Sequence, residues 1–181
     1  MPGNQEKATG IRDENLPWIC KGLDRFISLL GEYAAWLNVI LVLLIAVQVV
    51  MRYVFHISFV ALEEAEWHLY GTAALFGISY CVVINNHIRV DILSQRFSPR
   101  TKEIVEILGI LFLVMPVVTV LFVHGLEFVQ SSWHVNESSR SPMGLPWRWA
   151  IKSVIPVSMA LFGLSAISRA IRSAKIVIRG G

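Results

Sequence analysis

The chain has 181 residues, 55% of them hydrophobic and only 16% charged, well under the roughly 25% charged residues of an ordinary soluble domain. That balance excludes a water-soluble globular protein and leaves room for several membrane helices with short connectors, in one domain. The formal net charge of +3 does not indicate nucleic acid, because the basic residues sit in connectors between apolar runs instead of clustering on one folded face.

In chain order, Met1 to Asn15 reads as a disordered cytoplasmic tail and residues 16–181 as a four-helix membrane domain. The polar start, with charges of both signs and no short apolar core, does not resemble a cleavable signal, so the first apolar run is expected to stay as an anchor. From Leu16 to Leu30 apolar residues recur at three- and four-residue steps while Lys21, Asp24, Arg25 and Ser28 fill another face. This predicts an amphipathic helix, lying in the interface or forming the inner end of the first span.

The first span is expected at 33–51, a run without formal charge and of membrane-crossing length, ending at Arg52-Tyr53. Glu63, Glu64 and Glu66 then open a second helix, where carboxylates suit the positive end of the helix dipole, and the second span follows at 67–84. Ala73 and Gly77 within it stand four apart, a spacing that lets helices approach closely. Next comes Asn85 to Leu93, a charged break carrying Arg89 and Asp91. Ser98-Pro99 is a good helix start for the third span at 107–126, in which Pro116 predicts a kink.

A long outer connector follows, with Trp133, Asn136 to Arg140 and the turn-rich Pro142 to Pro146. Trp133, Trp147 and Trp149 are candidate headgroup-boundary residues, and Lys152 is expected to snorkel outward beside them. The fourth span, 149–168, leads into Ala166, Ala170 and Ala174, a second small-residue strip. Twelve Lys and Arg fall on the side of the termini and of the Asn85 to Leu93 loop, against four on the other. The positive-inside rule therefore puts both termini in the cytoplasm. Cys20 and Cys81 lack disulfide or zinc spacing and read as free thiols near the reducing face.

No nucleotide, zinc-protease or hydrolase motif occurs. Glu64 precedes His68 by four residues, the wrong step for a Glu-x-x-His metal site. His68 and His124 raise a bis-histidine haem as an alternative, and a membrane sensor or assembly factor is another. Lys152, Arg169, Arg172 and Glu103 read as solvated or snorkelling charges. Arg52, the Glu63 to Glu66 cluster, and Arg89 with Asp91 flank apolar spans and are the charges expected to pair with each other or with a partner subunit. The residues alone thus describe an all-α, polytopic accessory or scaffold subunit without a reaction centre.

The order of its short motifs is similar to that of a known family, the small membrane subunit (DctQ-type small permease) of tripartite ATP-independent periplasmic (TRAP) transporters. The resemblance runs from about Leu23 to Ile171. It rests on Arg52-Tyr53-Val54-Phe55, Leu62-Glu63-Glu64, His87-Ile88-Arg89-Val90-Asp91-Ile92-Leu93, Glu137-Ser138 and Pro146-Trp147-Arg148-Trp149. It implies a non-enzymatic scaffold in a sodium-coupled importer of organic acids in a bacterial inner membrane. The implied partners are a large elevator-type membrane subunit that carries sodium and substrate, a periplasmic binding protein, and membrane phospholipid. No cofactor is expected in this subunit. Arg52, Glu63, Glu64, Ala73, Gly77, Arg89, Asp91, Ala166 and Ala170 become candidate subunit contacts.

Overall fold

The computed structural model describes residues 18–83 and 99–179, and all regular structure among them is helical. The Asn85 to Leu93 stretch, with Arg89 and Asp91, lies outside the described residues. Helix α1 is Trp18–Val54, so the amphipathic segment and the first span form one 37-residue rod, about 55 Å long at 1.5 Å per residue. His56, in the left-handed region at φ 54°, turns the chain, and Val60–Val83 forms α2 with Glu63 in its first turn.

Pro99–Gly109 forms α3, which continues through a π-helical turn, Ile110–Val114, into α4, Met115–His134. The expected irregularity at Pro116 is taken up here. Proline lacks the N–H that would reach the Phe112 carbonyl, and its ring crowds that oxygen. The preceding five residues widen instead, with Met115 N–H bonding to Ile110 O, a π-bulge of the sort that relieves such a clash. Arg148–Arg179 forms α5, which contains a second proline, Pro156, absent from the sequence expectations.

Among the described residues three stretches are long and apolar enough to cross a membrane: Gly22–Val54, Arg100–His134 and Arg148–Lys175. The expected second span coincides with α2, which is not one of these three; its polar residues Glu63, Glu64, Glu66, His68, Tyr70 and Thr72 crowd its first half.

Helix α5 is the centre of the bundle. It packs against α1, α2, α3, the π-helical turn and α4, while α1 lies along α2. Beside large apolar residues such as Ile27, Met159 and Leu161, the interfaces are rich in small ones, as expected where lipid removes most of the hydrophobic drive and close van der Waals approach must replace it. Ser158, Ser165, Ser168 and Ser173 on α5, Ser79 on α2 and Ser132 on α4 are all buried. The hydroxyls of Ser158 and Ser165 donate to carbonyls three residues back, Ile155 O at 2.9 Å and Phe162 O at 2.8 Å, so these serines enter the interface without a stranded donor. Ser79 Oγ instead crosses to the Ser158 carbonyl at 3.3 Å.

Three glycines mark the tightest crossings. A Cβ on Gly31 would run into the ring of Tyr80, one on Gly125 would sit 3.3 Å from Pro156, and one on Gly163 would sit 3.1 Å from Val118. Gly77 makes no such approach, with nothing within 4 Å of where its Cβ would lie. Ala73 and Ala166 are only 7% and 2% exposed. They are buried against this chain's own helices, which corrects the expectation that they face another subunit; Ala170 is half-buried.

Candidate functional site

Polar side chains collect in two layers, one at each end of α5. In the layer that the charge distribution predicts to be the outer one, Glu64, on the first turns of α2, reaches into the α4–α5 connector. Its carboxylate accepts from the Ser139 hydroxyl and from Leu145 N–H at 2.7 Å. The connector closes on itself around this contact, Ser139 N–H donating to Leu145 O at 3.2 Å and Ser141 N–H to Ser139 Oγ at 3.1 Å. Gly144 is required here, because a Cβ would lie 2.9 Å from the Glu64 carboxylate and strike Ser139.

Glu137 organises the other half. Lys152 donates to its carboxylate, Arg148 stands 3.9 Å away, Glu137 N–H bonds to Ser132 O and Arg148 N–H to Glu137 O, both at 3.0 Å. The Lys152 ammonium also lies 3.8 Å from the centre of the Phe128 ring, and its side chain is 13% exposed. Lys152 therefore turns inward to a carboxylate and an aromatic face instead of snorkelling outward, because a counter-charge is available within the protein. The hydrogen bond from Ser139 holds the Glu64 carboxyl below its usual range, and that from Lys152 does the same for Glu137.

The tied connector holds Asn136, Met143 and Trp147 at positive φ, 44°, 62° and 60°. Trp133 and Trp149 meet edge to face, ring centres 4.5 Å apart, at the junction of α4 and α5.

The layer at the other end of α5, predicted to be the inner one, is not among the sequence expectations. Arg172 pairs with Asp24 of α1, whose other oxygen accepts from Ser168 at 3.1 Å. One turn earlier, Arg169 holds Glu106 of α3 through Nε at 2.5 Å and Nη2 at 2.9 Å, with Glu103 at 3.8 Å. Arg169 and Glu103 are 8% and 7% exposed. The reading of Arg169, Arg172 and Glu103 as solvated charges is thereby corrected: each is drawn into an interhelical pair. The available signal was the three-residue step that puts Glu103 and Glu106 on one face, a carboxylate pair for Arg169; nothing of the kind marked Asp24 as the partner of Arg172.

The other sequence candidates are dispersed. Arg52 is exposed and Glu63 half-buried. Glu64, one of the charges expected to pair with each other or with a partner subunit, is engaged within this chain by Ser139 and Leu145. His68 and His124 do not meet, since α5 lies between α2 and α4 and His124 faces outward to Glu127 at 2.9 Å. Among the described residues no three His, Cys, Asp or Glu side chains converge on a common point. The arrangement fastens helices together, with α5 tied to α2 through the outer connector and to α1 and α3 through its arginines.

No curated protein matches the chain. Residues 41–176, most of its length, match the model of the DctQ component of tripartite ATP-independent periplasmic transporters, and the chain belongs to that family.

Proposed function

We propose that this chain is the small, stationary scaffold subunit of a sodium-coupled TRAP transporter that imports an organic acid across a bacterial inner membrane. The observation that carries the reading is the fastening of α5 at both ends, by Glu137 with Lys152 outside and by Arg169 and Arg172 inside. Paired charges at each end of a small-residue interface resist sliding between helices. A carrier that moves like an elevator needs such a fixed reference in the bilayer.

In this reading α2 is the fourth crossing, both termini are cytoplasmic, and the outer connector faces the periplasm. The twelve-to-four distribution of Lys and Arg supports that orientation. A large membrane subunit carries substrate and sodium, a periplasmic binding protein delivers the acid, and phospholipid covers the remaining apolar surface. The subunit performs no chemistry and holds no cofactor of its own.

The test is reconstitution. The large subunit, with and without this chain, is placed in proteoliposomes with the binding protein and an inward sodium gradient. Uptake should require the chain; equal uptake without it overturns the scaffold role.

A further inference from the structure

The arginine-bearing end of α5 borders a small cavity where α1, α2 and α5 meet. Its walls are Asp24 of α1, the two valines that end α2, and Ser165, Ser168, Arg169 and Arg172 of α5. Two buried polar atoms of these residues lack a hydrogen bond among the described residues. Arg172 Nε donates none, and Asp24 Oδ2 accepts none although it faces the Arg172 guanidinium as an ion pair. Both serines are already engaged as donors, Ser165 Oγ to Phe162 O at 2.8 Å and Ser168 Oγ to Asp24 Oδ1 at 3.1 Å. Their lone pairs remain available, because a hydroxyl accepts as well as donates.

Chemistry, size and charge narrow what fits there. A guanidinium N–H requires an acceptor and a carboxylate oxygen requires a donor, so the ligand plays both parts. The cavity offers about 10 Å³ to the centre of a water molecule, close to the least that one ordered water needs. That is too little for a phosphate or a lipid headgroup. Three carboxylates, Asp24, Glu103 and Glu106, stand in this layer against the guanidiniums of Arg169 and Arg172, which disfavours any anion. A hard cation collects oxygen ligands around itself, whereas part of this wall is guanidinium, which only donates. A small neutral molecule with both a donor and an acceptor remains, and water is that molecule.

We propose that this junction is the binding site of one ordered water, which accepts from Arg172 Nε and donates to Asp24 Oδ2, with a serine lone pair as its second acceptor. Such a water completes the bonding that the helices by themselves leave short. The joint between α1 and α5 is then water-mediated, while Arg169 holds Glu106 of α3 directly with two hydrogen bonds. The side chains of Arg172 and Asp24 are 25% and 13% exposed, so the water exchanges with bulk past the arginine. The inference concerns how this chain packs, and it stands or falls independently of the transporter reading.

Two measurements on the full chain in lipid nanodiscs test the site. A structure fine enough to resolve ordered waters should show one spherical peak within about 2.5–3.2 Å of both Arg172 Nε and an Asp24 oxygen. The peak should persist when sodium in the buffer is replaced by potassium. In protein labelled with nitrogen-15 arginine, the Nε–H signal that Arg172→Lys removes should show a dipolar cross-peak to water. Absence of either the density peak or the cross-peak overturns the proposal. Density that vanishes without sodium, density continuous with a lipid, or a side chain of residues 84–98 found in the same place overturns it as well.

Discussion

Arg169 holds Glu106 with two parallel hydrogen bonds, Nε to Oε1 at 2.5 Å and Nη2 to Oε2 at 2.9 Å, joining α5 to α3 where the arginine side chain is 10% exposed. The fork geometry of guanidinium against carboxylate gives direction as well as attraction, and lysine cannot reproduce it. Removing one member of a buried pair leaves an uncompensated charge and costs about 3–5 kcal/mol. Glu106 is 24% exposed, which puts Glu106→Ala at the low end of that range. Arg169→Ala should therefore lower the unfolding midpoint in detergent more than Arg172→Ala, and Arg169→Lys should restore only part of it. An unchanged midpoint for Arg169→Ala would show that the layer does not hold the bundle.

The outer connector should loosen in acid. Glu64 and Glu137 both have carboxyls held below the usual range in the folded chain. A depressed folded value means that their stabilisation is fully present above the ordinary carboxylate value of 4.5 and is lost as pH falls through the lower folded one. Amide hydrogen exchange, corrected for its intrinsic pH dependence, should show protection at Leu145, Ser139 and Arg148 constant above that range and falling below it. In Glu64→Gln the loss at Leu145 should already be present at neutral pH. Protection that is independent of both pH and Glu64 contradicts the clasp.

Gly125 and Pro156 set the spacing of α4 on α5. Pro156 cannot donate to the carbonyl one turn back, and the helix nonetheless continues through it with its ring against the one residue type that lets a backbone come so close. Gly125→Ala would place a methyl 3.3 Å from that ring, overpacking worth about 1–3 kcal/mol. Gly77→Ala, with open space at its Cβ, is the matched control and should be neutral or slightly stabilising through better helix propensity. Thermal unfolding of the two variants side by side checks the ordering, and equal midpoints would refute it.

The difference between Gly125 and Gly77 also shows what could be read from the sequence. Apolar period and charge-free length found the helices, because membrane thickness imposes both. The start at Pro99 and the irregularity at Pro116 followed from proline's missing N–H. Partner identity did not follow. A small-xxx-small step marks a smooth strip without saying what lies against it, so Ala73 and Ala166 were assigned outward although they pack within the chain. The Arg169 to Glu106 and Glu64 to Leu145 contacts join residues 63 and 81 positions apart, and no local pattern encodes which distant carboxylate an arginine or an amide will find. Charges near a bilayer edge look alike in sequence whether solvated or paired; only the packing of α5 between its neighbours separates them.

Helix α2 carries three glutamates and a histidine in its first half. Its 24 residues span about 36 Å, enough to cross, yet its glutamates and His68 weaken the hydropathy signal on which such assignments rest. If α2 crosses, the α1–α2 turn and the start of α3 lie on opposite sides of the membrane; if it lies along the surface, they share a side. With Cys20 and Cys81 replaced, single cysteines at Ser58, Ser141 and Arg100, all exposed, distinguish the two. An impermeant maleimide added to intact cells with a permeabilised outer membrane should label Ser58→Cys and Ser141→Cys. It should reach Arg100→Cys only after the inner membrane is opened. Ser58→Cys and Arg100→Cys labelling together would reduce the count to three crossings and detach the outer clasp from the periplasm. The Glu64 clasp argues against that outcome: the carboxylate that opens α2 is bonded to the α4–α5 connector, so the outer ends of α2, α4 and α5 must lie at one level, and the rest of α2 runs inward from there beside α5.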